Sequence, residues 1–468
     1  MSQELLRTPF PERAGAALKD KFLQEALAIA TTKFIGLRQD AFAGFPQGDA
    51  LRDRARAIKE ATLQKLDFYL GQLADRVERL GGHVHWAVTG DEAREAILTL
   101  CRERGVKLAV KSKSMATEEI ELNEALERAG VTPVETDLGE YIIQLAHEKP
   151  SHIIAPAIHK TKGQVAELIS EVAHERLAAD PEVLTAAARG LLRQKFLQAD
   201  MGISGANFAV AETGTVVIVT NEGNGRMVTS LPRIHVAVMG IEKVIPSMTD
   251  LMVFLALLAR SATGQKLSSY TTLVRGPRQP GELDGPEEFH LILMDGGRSR
   301  QIAGTLREAL YCLRCGACLN VCPVYRQIGG HAYGHTYPGP IGILLTAMLS
   351  GHESVKELAH ASSLCGACKD VCPVRIDIPR MLIELRRHLD RERIAPRSER
   401  LAFKALQRVL MSKAAFALSA RVTRVLQRPF VRDGRLRRLP AFLARWTKTR
   451  DLPPVAARTF RERWKELQ

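Results

Sequence analysis

Seven of the chain's eight cysteines fall in two copies of one motif. The first reads Cys312-x-x-Cys315-x-x-Cys318-x-x-x-Cys322-Pro323, and the second Ser362-x-x-Cys365-x-x-Cys368-x-x-x-Cys372-Pro373. Three thiolates at steps of three residues place three sulfurs on one tight loop. A fourth, followed by proline, completes the spacing that wraps a [4Fe–4S] cluster. In paired motifs the fourth cysteine of each copy ligates the cluster of the other. The two loops must therefore meet in space. One cluster then takes Cys312, Cys315, Cys318 and Cys372, and the other takes Cys322, Cys365 and Cys368. Ser362 stands at the offset of Cys312. Its corner is open to a serine oxygen, a water or a [3Fe–4S] cluster in place of a four-iron one.

Gly and Ala between the cysteines (Cys315-Gly-Ala-Cys318 and Cys365-Gly-Ala-Cys368) let backbone amides approach a cluster's sulfides. Paired C-x-x-C motifs also hold structural zinc, but three cysteines at successive three-residue steps, then a fourth and Pro, are unusual for that ion. Cys101 lies within a helical pattern and reads as a core thiol. Residues 1–13 are polar and charged, without the apolar core of a signal peptide. The longest apolar run, 251–259, is too short to span a bilayer and reads as a buried helix. Clustered cysteines without an export signal point to metal rather than disulfides, and to the cytoplasm.

Around the motifs the chain divides into four regions. Residues 1–80 mix Ala, Leu, Lys, Arg and Glu at helical spacing until Gly81-Gly82 breaks the pattern. Residues 81–298 alternate short apolar strands with amphipathic helices. Strands are expected at 83–88, 106–111, 131–135 and 151–155, and helices at 91–104, 116–129 and 162–175. Such alternation predicts an α/β domain with a mostly parallel sheet. Runs at 208–211, 215–220 and 234–239, joined by Gly-rich turns, are expected to pair as hairpins and make the sheet mixed. Residues 299–392 form the cysteine region, with helix expected over 341–361. The segment 393–468 is a basic tail, with an amphipathic helix carrying Leu401, Ala405, Val409 and Phe416 and a less regular, Arg- and Pro-rich stretch after Pro429. The net charge of +14 belongs to this end: residues 380–468 hold 24 Lys+Arg against 8 Asp+Glu, leaving 42 basic and 44 acidic residues elsewhere.

Taken with the strings Lys111-Ser-Lys-Ser-Met115, Ala211-Glu-Thr-Gly-Thr215, Asn221-Glu-Gly-Asn-Gly-Arg226, Leu231-Pro-Arg-Ile-His235 and Tyr337-Pro-Gly-Pro-Ile-Gly342, the cysteine pattern resembles that of the lactate utilization protein B family, over most of the chain. The resemblance implies a lactate-utilization α/β domain, similar to the ribose-5-phosphate isomerase and CoA-transferase group, followed by an α-helical ferredoxin domain with two iron–sulfur clusters. The missing fourth cysteine at Ser362 fits that family. The resemblance further implies an electron-transfer subunit in L-lactate oxidation to pyruvate. Two companion subunits are implied, a cysteine-rich protein similar to a heterodisulfide reductase subunit and a second lactate-utilization-domain protein.

The residues themselves leave rivals in view: an iron–sulfur redox sensor or scaffold, and a subunit serving another 2-hydroxy acid. Neither a GxGxxG element after a strand nor HExxH or GxSxG motifs are present, so no hydride acceptor is visible and the chain reads as an electron carrier with no catalytic residue assigned. Lys111 and Lys113, between a strand and a helix, stand where open α/β sheets bind anions, though a solvated turn is the plainer reading. The loops at 212–214 and 221–226 read as turns that could approach a ligand. His331 and His335 lie just after Cys322 and could move protons near a cluster, against the plainer reading of a packed loop. For the tail, docking on an acidic partner subunit ranks ahead of peripheral contact with the inner face of an anionic membrane. Nucleic acid is disfavoured, because the aromatics Phe403, Phe416, Phe430, Phe442 and Trp446 are sparse and no nucleic-acid fold motif accompanies them.

Overall fold

The computed structural model describes residues 8–394, 397–440, 443–444, 447 and 450–465. The described residues fall into two compact units, which divide between Leu389 and Asp390. No helix among the described residues is long and apolar enough to cross a membrane.

The first unit opens with four helices, Phe10–Ala17, Lys21–Ala43, Gly48–Gln64 and Leu66–Arg79. The strands that follow are β1 His83–Ala87, β2 Leu108–Lys111, β3 Thr132–Glu135, β4 Met201–Gly205, β5 Phe208–Val210, β6 Thr215–Thr220, β7 Ile234–Gly240, β8 Val244–Ile245, β9 Tyr270–Val274 and β10 Glu288–Met294. Six of them make one all-parallel sheet in the order β1-β10-β7-β4-β2-β3. Its middle strand, β7 (Ile-His-Val-Ala-Val-Met-Gly), is buried along its whole length, as expected of a parallel strand covered on both faces. On one face Ala109, Ile203, Val236 and Ile292 pack against Ile97, Leu100 and Leu126 of the helices Gly90–Arg104 and Leu122–Arg128. On the other, Val110 and Val134 meet Tyr141, Leu192 and Phe196. The helix boundaries follow local chemistry: Thr89 Oγ1 accepts from Glu92 N, and Gly105 ends that helix in the left-handed region at φ +64°.

Four expectations need correction. The hairpin strands do not join the main sheet: β5 and β6 pair antiparallel within a separate four-stranded sheet, β8-β5-β6-β9, while β7 belongs to the parallel one. The expected strand at 151–155 is a loop. Its own side chains take up its backbone groups: His152 Nδ1 accepts from Ile154 N and Ala155 N, and Tyr325 OH donates to Ser151 O at 2.7 Å. The helix expected over 116–129 breaks in two at Glu121, whose φ is +48°. Within 341–361, the α-helix Gly339–Ser350 ends at Gly351 and gives way to 3₁₀ turns at His352–Val355 and Leu358–His360.

The second unit carries the helices Arg397–Met411 and Lys413–Leu426. After Pro429 the chain turns at Asp433-Gly434, both with positive φ, into a two-stranded hairpin, Val431–Arg432 with Arg435–Leu436, where irregular chain was expected. Leu401 and Phe416 are exposed. Phe442 and Trp446 lie outside the described residues.

Candidate metal centre

The fifty-residue repeat survives as geometry. Arg314 and Leu364 take positive φ (61° and 55°), as do Gly316 and Gly366 (74° and 90°). Each glycine opens a one-turn helix, Ala317–Asn320 and Ala367–Asp370. In the first loop Arg314 N donates to Cys312 Sγ at 3.4 Å. In the second, Leu364 N donates to Ser362 Oγ at 3.2 Å. Ser362 thus holds the local position of a cysteine in a loop built for one.

The thiols fall into two groups by the charges they exert on one another. Burial pushes Cys315 up to about 12, with Cys312 and Cys372 adding to it, and Cys372 to about 11, with Cys312 adding to it. Cys318 is raised well above the ordinary thiol range by burial and by Cys312, Cys315, Cys368 and Cys372. Cys368 is pushed to about 12 by burial and then by Cys322 and Cys365, while Cys322 is raised by burial and by Cys365. Cys318, which feels Cys368, links the two groups. Crowded thiols of this kind resist ionising unless a cation replaces their protons, which fits iron held as a thiolate-bound cluster. Backbone amides also aim at the sulfurs: Ile376 N donates to Cys372 Sγ at 3.3 Å, and the amides of Ala317, Val324, Tyr325 and Lys369 serve Cys315, Cys322 and Cys368.

The two groups differ in their surroundings. Cys312, Cys315, Cys318 and Cys372 are all buried, whereas the second group runs from the buried Cys322 through the half-buried Cys368 to the exposed Cys365. Cations from the N-terminal helices close around the buried group. Arg52, 6 % exposed, donates from Nε to Cys372 O at 3.1 Å and also reaches Asp370 O. Arg38 Nη2 donates to Val371 O at 3.1 Å, and Lys243 Nζ donates to Cys312 O at 3.4 Å. Lys59, fully buried, donates to Glu242 O. Burial lowers Lys59 to about 7, with Lys243 adding to it, and Lys243 to about 8, with Arg314 adding to it. These side chains escaped sequence reading. The available signal was basic residues at 52, 56 and 59, a helical i, i+4, i+7 stripe.

A buried ion network ties this centre to the parallel sheet. Arg298, after β10, pairs with Glu119 at 2.7 Å and Glu242 at 2.6 Å; Glu242 also pairs with Arg314 at 3.1 Å, and Tyr337 OH donates to Glu119. Burial opposes ionisation of Glu242, yet Arg298, Arg314, Lys243 and Lys59 hold its carboxyl down to about 2. Gly240, at the end of β7, leaves the room: a Cβ there would strike Glu242 and Arg298.

Beyond the carboxyl ends of β2, β4 and β7 lies a cavity of about 670 Å³, lined among others by Lys113, Gly205, Gly240 and the loop segment Leu313-Arg314-Cys315. Of the two candidate lysines, Lys113 lines it and Lys111 does not. Lys111 is neither a ligand anchor nor a solvated turn: it is 1 % exposed, with Nζ 2.6 Å from Glu135 Oε1. The 212–214 loop is a structural turn, in which Glu212 Oε2 accepts from Met248 N at 3.0 Å and Gly214 packs on Arg76 and Val77. From the other loop, Asn221, Glu222 and Asn224 reach the cavity. His331 Nε2 lies 2.6 Å from Lys149 O and His335 Nε2 lies 3.3 Å from Ser354 O. Cys101 is a buried core thiol raised to about 11 by burial.

Family models match this architecture in three consecutive pieces: a LUD domain over residues 70–294, a 4Fe-4S dicluster domain over 308–376, and the lactate utilisation protein B C-terminal region over 388–468. Lactate utilization protein B of Shouchella clausii is 44 % identical over 469 residues, covering 100 % of this chain and 99 % of that protein. Its counterpart in Bacillus subtilis is 43 % identical over 464 residues, covering 99 % and 97 %. The chain belongs to the lactate utilization protein B family. Its cysteine region is accordingly an iron–sulfur module for two clusters of the [4Fe–4S] class, and the α/β sheet is the LUD domain of this family.

Proposed function

We propose that the protein is the iron–sulfur electron-transfer subunit of a complex oxidising L-lactate to pyruvate. The carrying observation is the arrangement of the thiols: a buried, cation-lined set, and a second set that runs from the buried Cys322 out to the exposed Cys365, joined through Cys318 and Cys368. Cys312, Cys315, Cys318 and Cys372 are the proposed ligands of the inner cluster. Cys322, Cys365 and Cys368 are those of the outer one, with Ser362 at its fourth corner. Clusters so held take up and release single electrons. The chain's own residues tune that exchange. Arg38, Arg52, Lys59, Lys243 and Arg314 offset negative charge at the inner set, and the exposed Cys365 brings the outer set to the surface, where a partner can dock.

The family name of the relatives supports lactate as the fuel. Companion subunits, a heterodisulfide-reductase-like protein and a second LUD protein, would supply and receive the electrons. The carboxyl-edge cavity of a parallel sheet supports kinship with the ribose-5-phosphate isomerase and CoA-transferase group. The basic tail, 393–468, is assigned to partner docking, with the complex on the cytoplasmic side of the membrane. The test is EPR of the anaerobically assembled complex on addition of L-lactate. Cluster signals that change on lactate and recover on reoxidation support the reading, and clusters indifferent to lactate refute it. Deleting residues 399–468 should abolish co-purification with the companions and leave liposome binding unchanged.

A further inference from the structure

The cavity against the inner cysteine loop carries cationic groups with buried nitrogens that the fold leaves without a hydrogen-bond acceptor. Arg314, between Cys312 and Cys315, has a side chain only 10 % exposed. Its Nη2 pairs with Glu242 and its guanidinium lies over the Tyr337 ring at 4.7 Å, but Nε and Nη1 are buried without an acceptor. Lys113 Nζ is likewise buried and unbonded. Its nearest carboxylate, Glu140 Oε1, is 3.8 Å away, too far for a hydrogen bond. Burial raises Glu140 well above the ordinary carboxyl range, against the pull of Lys113.

A buried, unsatisfied cationic donor is among the costlier features a fold can carry. Two of them line one cavity. Charge balance at the thiols accounts for part of Arg314's presence, but Lys113 sits on the sheet side, after β2, and has no such duty. The remaining walls mix apolar side chains such as Ile142, Ile218 and Leu258 with Glu119 and Glu242, both paired with Arg298, and with Asp137 and Glu222 on the side of the 221–226 loop. Its volume falls within the range of small-molecule sites, and its place beyond the carboxyl ends of parallel strands is where open α/β sheets bind ligands. Cationic donors with unused hydrogen-bonding capacity at one end of a partly apolar recess select an organic anion whose charged end is small.

We infer that this cavity binds a small monocarboxylate of the lactate and pyruvate type, anchored by Lys113 and Arg314 and held against the Cys315 loop. This rests on the lactate reading and deepens it: the chain itself receives the acid beside its inner cluster, in addition to passing electrons on. Cys315 lines the same space, so a bound acid lies within reach of the cluster's protein shell.

The test uses the full-length, cluster-loaded protein, purified anaerobically without companions, titrated with L-lactate and with pyruvate by calorimetry and followed by EPR of the reduced protein. Propane-1,2-diol, which lacks the carboxylate, is the control. Saturable binding of either acid, none of the diol, and a changed line shape of one cluster signal are expected. Lys113→Gln should weaken binding about tenfold to a hundredfold, the loss of one charge-assisted hydrogen bond, with iron and sulfide content unchanged. Arg314→Lys should weaken it too; if that variant loses iron, Lys113→Gln decides alone. No saturable binding, binding insensitive to Lys113→Gln, or equal binding of the diol would overturn the inference. If lactate reduces the clusters of the complex but neither acid binds this chain, the inference fails and the electron-transfer reading stands. If an acid binds but lactate never changes the clusters, the reverse holds.

Discussion

Glu242→Gln removes one buried negative charge from the middle of Arg298, Arg314, Lys243 and Lys59 while keeping the side chain's volume and the backbone carbonyl that Lys59 uses. Glu242 is 1 % exposed, so solvent screening takes little from the effect. Its carboxyl is held at about 2 against an ordinary 4.5. A gap of that size corresponds to about 3 kcal/mol favouring the ionised form, within the usual cost of stripping one partner from a buried ion pair. The folded-state pKa is depressed, so this stability is present in full above about pH 4.5 and is lost as pH falls toward 2.

Urea unfolding of the anaerobically purified protein, followed by circular dichroism, should show Glu242→Gln destabilised by about 3 kcal/mol at pH 7, with the gap to the parent closing as the pH drops below 4.5. Adding Arg298→Met should recover part of the loss, because the second change removes a cation that the first left unpaired. A Glu242→Gln variant within about 1 kcal/mol of the parent at pH 7 would refute the reasoning. It would mean that these cations are balanced by the thiolate centre and that the carboxylate is dispensable.

Ser362→Cys should add the missing thiolate: iron content rises toward a full four-iron outer cluster in anaerobic preparations, and an unchanged count and EPR spectrum would place Ser362 off the cluster. Gly330→Ala drives a methyl into Ser151 O and should cost about 1–3 kcal/mol by overpacking, read as a lowered urea midpoint; an unchanged midpoint would show that the loop at 151 yields freely. Glu148 is 23 % exposed; burial raises its carboxyl, but hydrogen bonds from His159 and Lys160 outweigh this and hold it down to about 2. Glu148→Gln should therefore cost about 1–3 kcal/mol above pH 4.5 and nothing near pH 2, and a gap that does not vary with pH would contradict the pairing.

The sequence carried what depends on neighbours in the chain. Cysteine spacing, the Gly-Ala linkers and the first three strands are local patterns, and β1, β2 and β3 are found where expected. What it did not carry depends on distant partners. β10 completes the main sheet between β1 and β7, but it follows a Gly- and Pro-rich stretch and pairs across some two hundred residues, so nothing local marks it as central. The segment 151–155 has strand composition, yet Ser151 and His152 side chains offer the backbone a better-satisfied loop against Tyr325 and Gly330. Lys111 and Lys113, two residues apart, read alike in sequence. As i and i+2 of a continuing strand they would share a face, but β2 ends at Lys111: Lys111 is sealed against Glu135 and Asn123, while Lys113, beyond the strand end, lines the cavity.

The missing cysteine then takes on a location. The loop around Ser362 keeps the backbone of a cysteine loop, down to the amide of Leu364 pointing at the side-chain oxygen, so the deficit is one of ligand chemistry and not of folding. In the proposed ligand assignment it falls on the set that includes the exposed Cys365, while the complete set is the buried one beside the cavity. A cluster's potential rises when negative ligand charge is removed, when solvent reaches it, or when cations surround it. The outer set has the first two features and the inner set the third, with Arg38, Arg52, Lys59, Lys243 and Arg314 at hand. In the proposed relay each centre is thus offset by a different means. The inner one keeps a full set of thiolates and draws its compensation from the N-terminal helices, the ion network and the cysteine loop. The outer one, with a thiolate fewer, is compensated by that missing charge and by solvent at Cys365.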